Sequence, residues 1–387
     1  MVSPCRATPD PPVWQQHASR LAAEVTHPAS RWAAAVASVP RHVFVPNWWA
    51  RGAELWDRCE GRADPVAWMK AAYGNCSLVT RVGPLHADQA AAGYQAAGLP
   101  TSSSTMPGLV VRMFQHAMLT DNARTLCVTG SGYGTALLSR RLGEKNVTSV
   151  DIDPYLVDPA RHRLEGLSIR PFMNVCDITG PLPGTYDRIV STVSVPRVPA
   201  SWLEALKTGG RLVTTIADTG IVLTADKTDD GGATGGVGWD RASFMATRDG
   251  GDYPPALHEL FEIAGERDGE DITQSPYPVL EVCEAWDVWS MLSLAVPGIE
   301  HRYRADGETR TAWMAHPDGS WARATSSTLR GTALVHQAGS RRLWDELDRI
   351  RRRWLAEGGL PIHGARVDIT PDGTTTFTRG KWCAVLA

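Results

Sequence analysis

The sequence predicts an α/β protein with a doubly wound parallel sheet and an additional α+β region at its C-terminal end. Between Arg124 and Ile216, short apolar runs alternate with helical patterns, which is the sequence form of βαβ units. A glycine-rich turn, Gly130–Gly134, separates the first strand of this stretch from its first helix. After residue 240, aromatic-flanked strand patterns and one strongly basic helix replace the alternation. We therefore expect two regions of different architecture.

Composition excludes several classes of protein. The 387 residues carry 39 Lys+Arg and 42 Asp+Glu, a net charge of −3, so we expect neither a nucleic-acid partner nor a membrane partner. No apolar run approaches the ~20 residues that span a bilayer, and Met1–Pro12 lacks a secretory pattern, so we expect a cytoplasmic protein. The seven cysteines, beginning with Cys5, form no C-x-x-C pair. We expect reduced thiols and no metal site.

The parallel sheet is assigned element by element. Five apolar runs predict strands: Thr125–Thr129, Val147–Ile152, Phe172–Cys176, Asp187–Thr192 and Arg211–Ile216. Helical patterns lie between them at Thr135–Leu142, from Pro154 onward, and at Ser201–Lys207. Pro154 suits a first helical turn, whereas Pro159 is expected to kink or shorten that helix. The Gly209-Gly210 pair predicts a turn before the last strand.

The flanking regions complete a predicted domain plan. Residues 1–225 are expected to form one domain, with an N-terminal helical and lid part at 1–120 and the sheet core at 121–225. Within the first part, residues 82–104 are rich in Gly, Pro, Ala and Ser and predict a loop or lid. Residues 226–240 are rich in Gly and Asp and predict a mobile loop or linker, followed by an α+β region at 241–387.

A cofactor site is predicted at the carboxyl ends of the first strands. Small residues at Gly130, Ser131 and Gly132, followed by Tyr133, let backbone amides approach a ligand at a helix N-terminus. Asp151 follows Gly132 by 19 residues and ends the second strand, where a carboxylate binds both hydroxyls of a ribose. A tight turn without a ligand is the alternative explanation, and the combined pattern favours cofactor binding.

A second acid extends this prediction. Asp177 follows the third strand, from which a carboxylate can accept a hydrogen bond from an adenine amino group. A turn-capping role is about equally compatible with its position. Ile152 and Ile178, which follow the two acids, are included in the predicted cofactor site.

Four segments resemble protein-L-isoaspartate O-methyltransferases: Val39–Pro46 (VPRHVFVP), Gly130–Gly134 (GSGYG), Tyr186–Val190 (YDRIV) and Leu206–Val213 (LKTGGRLV). The resemblance spans about residues 30 to 216. It implies a Rossmann-like methyltransferase domain, S-adenosylmethionine as cofactor and a side-chain carboxylate as methyl acceptor.

The resemblance also implies the residues at the transfer site. The segment at 102–107 (SSSTMP) is similar to the family's Q-T-I-S-x-P segment and places Ser103 and Thr105 on its hydroxyl positions, which makes them the catalytic candidates. Alternatively, Thr105 caps a helix that begins near Pro107. Leu126 and Val128 depart from the family pattern, which has an acid and a glycine there, and predict a reshaped pocket for the methionine part of the cofactor.

The region after residue 225 exceeds the family's usual length. It holds the basic run Arg341–Arg353 and the tryptophans Trp286, Trp289, Trp313, Trp321, Trp344, Trp354 and Trp382. In this respect the chain resembles the subgroup that matures ribosomally synthesised and modified peptides (RiPPs), either graspetides or lanthipeptides. That resemblance implies a modified precursor peptide as partner, recognised by residues 241–387. Tryptophans are, however, more often core anchors than peptide contacts.

Three functions therefore remain open. The first is esterification of one aspartate in a cyclised precursor, which leads to an aspartimide (succinimide). The second is repair of isoaspartyl proteins. The third is binding of a cofactor or precursor without turnover, which the departures from the family pattern at Leu126 and Val128 suggest. His86 and Asp88 either contact the peptide or lie on a solvated loop. The sequence leaves the precursor, the pathway type and the oligomeric state open.

Overall fold

The computed structural model describes residues 13–248 and 257–387, so Met1–Pro12 and Cys5 lie outside the described residues. The described chain divides into two compact units. The first comprises residues 13–192, 205–213 and Arg248, and the second comprises 193–204, 214–247 and 257–387. This division differs from the single boundary predicted at residue 225, because the strand that begins at Ala233 pairs with a strand of the C-terminal region.

The N-terminal part of the first unit mixes helices with short strands. Its helices are α1 (Val13–Val25), α2 (Ala33–Ser38), α3 (Arg41–Phe44), α4 (Pro65–Ala72) and α5 (Pro107–His116). Its strands are β1 (Asn47–Arg51), β2 (Trp56–Glu60), β3 (Leu78–Val82), β4 (Leu85–His86), β5 (Gln95–Ala96) and β6 (Pro100–Ser104). They form a six-stranded sheet in the order β4-β3-β1-β2-β5, with β6 also paired to β3.

This sheet corrects the loop predicted for residues 82–104. The segment contributes three short strands, and Val82, Ala87 and Ala96 bury their side chains against Trp49. The apolar residues that anchor it are small and widely spaced. Strands as short as β4 and β5 contain only two residues each, which is too few to show the alternation of apolar and polar residues that identifies a strand.

The parallel core agrees with the predicted elements to within a few residues. It consists of β7 (Thr125–Val128), α6 (Tyr133–Leu142), a 3₁₀ turn at Glu144–Asn146, β8 (Val147–Asp151), α7 (Pro154–Glu165), β9 (Phe172–Val175) and β10 (Tyr186–Val195). The strands pair in parallel in the order β10-β7-β8-β9. The predicted α/β fold is thereby confirmed.

Two glycine- and proline-containing segments of the core can be compared with expectation. Pro159 lies inside α7, which continues to Glu165, so the proline does not end the helix. After α8 (Ala200–Ala205), strand β11 (Leu206–Ile216) includes the Gly209-Gly210 pair that predicted a turn. Gly209 has a φ of +71°, and a Cβ on Gly210 would lie 2.7 Å from the Lys207 carbonyl oxygen. The two glycines therefore form an irregularity within the strand.

The second unit contains an antiparallel ladder where a linker was predicted. Strands β12 (Ile221–Lys227) and β13 (Ala233–Arg241) form a hairpin, so residues 226–240 are largely strand. A Cβ on Gly235 would lie 1.9 Å from the Thr224 carbonyl oxygen. Glycine is used here because the backbones approach closely, and the prediction of a mobile segment is corrected.

The remaining elements of the second unit form an α+β region, as predicted. They are α9 (His258–Glu266), β14 (Asp271–Ser275), α10 (Trp286–Ala295), β15 (Glu300–Asp306), β16 (Thr309–Ala315), β17 (Trp321–Ser326), β18 (Ala333–Ala338), α11 (Leu343–Ala356), β19 (Arg366–Ile369), β20 (Thr375–Arg379) and β21 (Trp382–Leu386). One sheet has the order β14-β18-β17-β16-β15. The ladder of β12 and β13 continues through β19, β20 and β21.

The tryptophans and the basic helix of this unit are partly structural. Trp321, Trp344 and Trp382 are buried, as expected of core anchors. Arg351, within the basic run, lies over the Tyr277 ring at 4.5 Å and donates to the Pro278 carbonyl oxygen. Among the helices of residues 13–248 and 257–387, none is both long enough and apolar enough to cross a bilayer.

Candidate functional site

The glycine-rich turn connects β7 to α6 at the carboxyl edge of the parallel sheet. Gly130 and Gly132 have φ values of +49° and +91°, a backbone region that favours glycine. A Cβ on Gly132 would lie 2.9 Å from the Ala160 Cβ of α7, so packing also requires this glycine. A Cβ on Gly130 would meet only the Ser103 carbonyl oxygen, at 3.7 Å. The turn therefore faces the end of β6.

A buried network of hydroxyls supports the turn from below. The Ser149 hydroxyl lies 2.7 Å from the Thr129 hydroxyl and 2.8 Å from the Thr135 hydroxyl, and all three residues are buried. Hydroxyls can donate and accept in a chain, so the three groups satisfy one another. The network fixes the two ends of the turn to β8.

Asp151 lies directly beside the turn, as predicted. Its buried carboxylate accepts hydrogen bonds from the backbone N–H groups of Gly130 at 3.0 Å and Asp153 at 3.1 Å. Burial and, to a smaller extent, the Asp153 charge raise the pKa of Asp151 to about 6, although the two backbone hydrogen bonds and the Arg248 charge act in the opposite direction. Each carboxylate oxygen retains a free lone pair, so the group can still accept hydroxyl donors.

A cleft beside the turn brings together five of the predicted site residues. Its lining includes Ser103, Thr105, Gly130, Ser131 and Tyr133, together with Val128 and Thr192. Thr192 was missed by sequence reasoning. It ends the predicted fourth strand, and the rule that ligands bind at the carboxyl ends of parallel strands could have identified it.

The hydroxyls of Ser103 and Thr105 are available to a ligand. Both residues are half-buried and alternate with the buried Ser102 and Ser104 along the end of β6 and the residue that follows it. Within the described residues, no hydrogen bond holds either hydroxyl. Thr105 does not cap α5, because Asn75 accepts from the Gly108 N–H and Ser77 from the Met106 N–H.

Arg41 positions this hydroxyl-bearing segment and was also missed. Its fully buried guanidinium donates to five backbone carbonyl oxygens at 2.9–3.1 Å, those of Ala72, Gly74, Cys76, Ser104 and Thr105. It also lies 5.5 Å from the centre of the Tyr133 ring. A charged residue inside the apolar Val39–Pro46 run was the signal that could have indicated a buried organising role.

Tyr133 contributes an unsatisfied group to the cleft. Its hydroxyl is buried and has no hydrogen-bond partner. Burial raises the pKa of Tyr133 to about 12, against the opposing charge of Arg41, so the hydroxyl keeps its proton. An unpaired buried hydroxyl is costly.

Asp177, Ile152 and Ile178 of the predicted cofactor site lie outside the lining of this cleft. Asp177 is exposed, and one carboxylate oxygen accepts from the Thr179 backbone N–H and hydroxyl, both at 2.8 Å. This is the turn-capping role, which leaves the adenine contact a prediction. Ile152 has 46% of its surface exposed, whereas Ile178 is buried. Neither residue lines the cleft.

His86 and Asp88 are not on a solvated loop. His86 is buried and its Nε2 lies 2.9 Å from the Asp153 carboxylate. Burial works against ionisation, but the His86 hydrogen bond and the His86 and Arg81 charges hold the pKa of Asp153 below its ordinary value. Asp88 pairs with Arg163 of α7 at 2.6 Å. These contacts tie the six-stranded sheet to the parallel core, so neither residue is free for a peptide.

The two departures from the family pattern take different places. Leu126 is fully buried in β7, whereas Val128 lines the cleft. A branched side chain therefore occupies part of the floor where the family has a glycine. In residues 13–248 and 257–387, no three His, Cys, Asp or Glu side chains are placed to hold a metal ion.

The residues present fit the cofactor that the resemblance implies. Asp151 retains acceptor capacity for a ribose, the turn keeps small residues beside the cleft, and the Tyr133 hydroxyl lacks a partner. A parallel sheet with a glycine-rich turn after one strand and an acid after the next is the arrangement of nucleotide-binding α/β folds, the class that includes Rossmann-like methyltransferases.

Comparisons with known proteins identify the family. The family model described as protein-L-isoaspartate(D-aspartate) O-methyltransferase (PCMT) matches residues 86–236. The protein-L-isoaspartate O-methyltransferase of Methanopyrus kandleri is 30% identical over 210 residues, which are 52% of this chain and 77% of that protein. The chain belongs to the protein-L-isoaspartate O-methyltransferase family.

Other relatives match over shorter parts. Four curated proteins of the same name, 33% to 36% identical, are covered over 38% to 61% of their length, so the chain spans about half of these relatives. A solved protein-L-isoaspartate O-methyltransferase aligns over 96% of this chain and 99% of its own, at 17% identity and a TM-score of 0.48. A Plasmodium falciparum structure with S-adenosyl-L-homocysteine aligns over 61% and 99%, at 14% identity and a TM-score of 0.42.

Proposed function

We propose that the chain is an S-adenosylmethionine-dependent carboxyl O-methyltransferase that esterifies a side-chain carboxylate in a peptide or protein. The observation that carries the proposal is the cleft itself. It joins the unpartnered hydroxyls of Ser103 and Thr105 to the Gly130–Tyr133 turn, beside which Asp151 lies. Membership in the family supports the same reaction.

In this proposal Asp151 accepts hydrogen bonds from the ribose hydroxyls of the cofactor, and Ser131 and Tyr133 line the space beside it. Asp177 stays assigned to the adenine, and Ile152 and Ile178 stay assigned to the cofactor site. When bound, S-adenosylmethionine supplies a methyl group on a positively charged sulfur. A carboxylate oxygen forms the new C–O bond as the C–S bond breaks, and the electron pair of the broken bond stays on sulfur.

The acceptor needs no base in this reaction. An aspartyl carboxylate with a pKa near ~3.9 is ionised at neutral pH, so no proton has to be removed. Ser103 and Thr105 donate hydrogen bonds that orient the carboxylate toward the methyl group, and Arg41 fixes the backbone that carries them. Catalysis then comes mainly from alignment and from exclusion of water.

Membership in the family favours the side-chain carboxylate of an isoaspartyl residue as the group that accepts the methyl. Incubation of the full chain with S-adenosylmethionine and an isoaspartyl peptide should give a methyl ester, detected by mass spectrometry or as released methanol. The matched control is the same peptide with a normal aspartate, which should react slowly.

The second unit favours another acceptor, an aspartate in a cyclised, ribosomally made precursor. The family-model match ends at residue 236, whereas the five-stranded sheet β14–β18 lies beyond it. In this pathway the backbone nitrogen of the next residue attacks the methyl ester, methanol leaves and an aspartimide forms. The cyclised precursor should then react at a single aspartate. The linear precursor should react poorly, because it loses more conformational entropy when it binds than the cyclised precursor does.

A second measurement distinguishes an enzyme from a protein that binds the cofactor without turnover. Calorimetry with S-adenosylhomocysteine measures cofactor binding independently of any acceptor. Binding without ester formation on any of the peptides would favour the non-catalytic alternative. The structural reason to consider that alternative is Val128, which lines the cleft.

A further inference from the structure

A cation from beyond the family match contacts β6 in the first unit. The family match ends at residue 236 and residues 214–247 belong to the second unit, whereas Arg248 belongs to the first. Its half-buried guanidinium donates to the Thr101 carbonyl oxygen at 2.9 Å. Thr101 lies in β6, two residues before Ser103, whose hydroxyl is available in the cleft. The chain beyond the family match therefore holds the strand that carries Ser103.

This strand is held by arginines on both sides of Ser103. Arg248 binds the carbonyl oxygen of the buried Thr101, and Arg41 binds the carbonyl oxygen of Ser104 at 3.1 Å. Hydrogen bonds from a charged donor are stronger than those between neutral groups. Loss of the Arg248 contact would leave the segment fixed at one end only.

Two acidic side chains lie close to this strand, and each is near an arginine. Asp153 lies 3.4 Å from Arg81 and 2.9 Å from His86. Burial and the Asp153 charge raise the pKa of Asp151, and the Arg248 charge opposes that increase. A nearby positive charge favours the ionised form of a carboxyl group. Arg248 therefore helps to keep Asp151 ionised beside a second carboxylate.

We propose that Arg248 is a positioning residue of the methyl-transfer site, which it serves by holding the strand of Ser103 and by favouring the ionised carboxylate of Asp151. This assignment rests on the proposed function, in which Ser103 orients the acceptor and Asp151 binds the ribose. Arg248 acts through Thr101 and Asp151 rather than on the reacting atoms. The region beyond the family match thus contributes to a site whose hydroxyls, turn and acid lie within residues 86–236.

The hold on β6 can be measured without cofactor or acceptor. Hydrogen–deuterium exchange of the full chain, followed by mass spectrometry, reports the opening of backbone amides in β6. Arg248→Met removes both the donor and the charge, so exchange in β6 should become about three- to tenfold faster. Arg248→Lys keeps the charge and a donor and should restore most of the protection. Unchanged exchange in Arg248→Met would overturn the assignment.

The role of the charge is tested by the pH dependence of S-adenosylhomocysteine affinity, measured by calorimetry from pH 5 to 8. Arg248→Gln keeps a donor and removes the charge, so Asp151 should take up its proton at a higher pH. Relative to the unmodified protein, its affinity should be about two- to threefold lower below pH 6 and nearly equal at pH 8. Arg248→Lys should follow the unmodified profile. An equal loss at every pH would indicate a merely structural residue and would refute the proposal.

Arg323→Gln is the matched control. Arg323 of β17 is also half-buried and donates to a backbone carbonyl oxygen, that of Ala264 at 3.0 Å, but it belongs to the second unit. Its variant should change neither exchange in β6 nor the pH profile. If exchange in β6 depends on Arg248 while the unmodified protein binds no S-adenosylhomocysteine at any pH, the contact stands and the proposed function fails. Methylation of an isoaspartyl peptide by Arg248→Met at the unmodified rate would have the opposite meaning.

Discussion

Two glycine-rich segments of this chain look alike in composition and do opposite things. In the turn of the first unit, Gly130 and Gly132 take positive φ values and leave room beside a cleft. In the hairpin of the second unit, Gly235 and Gly236 lie inside β13, directly opposite Ala225 and Thr224 of β12. There the missing side chains let two backbones approach closely, and no cleft results.

The comparison shows which neighbours decide how glycine is used. The turn is preceded by a predicted strand, is followed by a helical pattern and is paired with an acid one strand later. The hairpin had only its composition as a signal, and composition does not distinguish a mobile segment from two closely packed strands.

The largest expected effect is on the hairpin. Gly235→Ala would place a Cβ 1.9 Å from the Thr224 carbonyl oxygen, and a backbone atom cannot rotate away. We expect a loss of about 3 kcal/mol or more in the free energy of unfolding, measured by denaturant titration. The control is Gly265→Ala in α9, where a Cβ would meet no atom within 4 Å and should be neutral or stabilising. A loss below about 1 kcal/mol would show that the hairpin tolerates a side chain at residue 235. The proposed difference between the turn and the hairpin would then be wrong.

Asp151 provides the next largest effect. Asp151→Ala removes the proposed ribose contact and should weaken cofactor binding by about 1.5–3 kcal/mol, with loss of methylation. Asp151→Asn separates the contact from the structural role, since its side-chain oxygen still accepts one backbone hydrogen bond. Calorimetry with S-adenosylhomocysteine measures both variants. Unchanged affinity in both would refute the role of this strand end, and the turn would then be structural like the hairpin.

Within the turn, the two glycines should differ. Gly132→Ala combines a φ of +91° with a Cβ 2.9 Å from Ala160, so we expect a loss of about 1–3 kcal/mol in stability. At Gly130 the nearest atom would be 3.7 Å away, so the loss should be smaller and should come from the positive φ alone. Thermal unfolding of the two variants measures the difference. If Gly130→Ala were the more destabilising, packing against α7 would not be the reason for Gly132.

Sequence reasoning succeeded where the signals were local and strongly periodic. The strands of the parallel core and the placement of Asp151 beside Gly130 follow from such patterns. Ser103 and Thr105 came from the family resemblance, and the structure places them on the same cleft.

Several of the failures concern contacts between residues far apart in the sequence. Arg41 contacts carbonyl groups more than 30 residues away, and His86 pairs with a carboxylate 67 residues away. No local pattern encodes such contacts. The second partner of β13 is β19, which lies more than a hundred residues further along the chain.

Cofactor binding should depend on pH through Asp151. The carboxylate of Asp151 is proposed to accept ribose hydroxyls, and it does so best when ionised. Since burial raises its pKa to about 6, the group becomes protonated in a range where an ordinary aspartate is still charged. Affinity for S-adenosylhomocysteine should therefore fall by up to about tenfold per pH unit below pH 6 and be constant above it.

The sign for stability is the reverse of that for binding. A folded-state pKa above the ordinary value means that the folded protein binds the proton more tightly than the unfolded chain does. This one group therefore contributes stability that is fully present below about pH 4 and is lost as the pH rises toward 6. Lowering the pH should thus weaken the cofactor complex while it relieves the cost of burying the charge. Asp151→Asn cannot titrate, so its affinity, already reduced, should be flat from pH 5 to 8. An equally steep fall in that variant would assign the titration to another group.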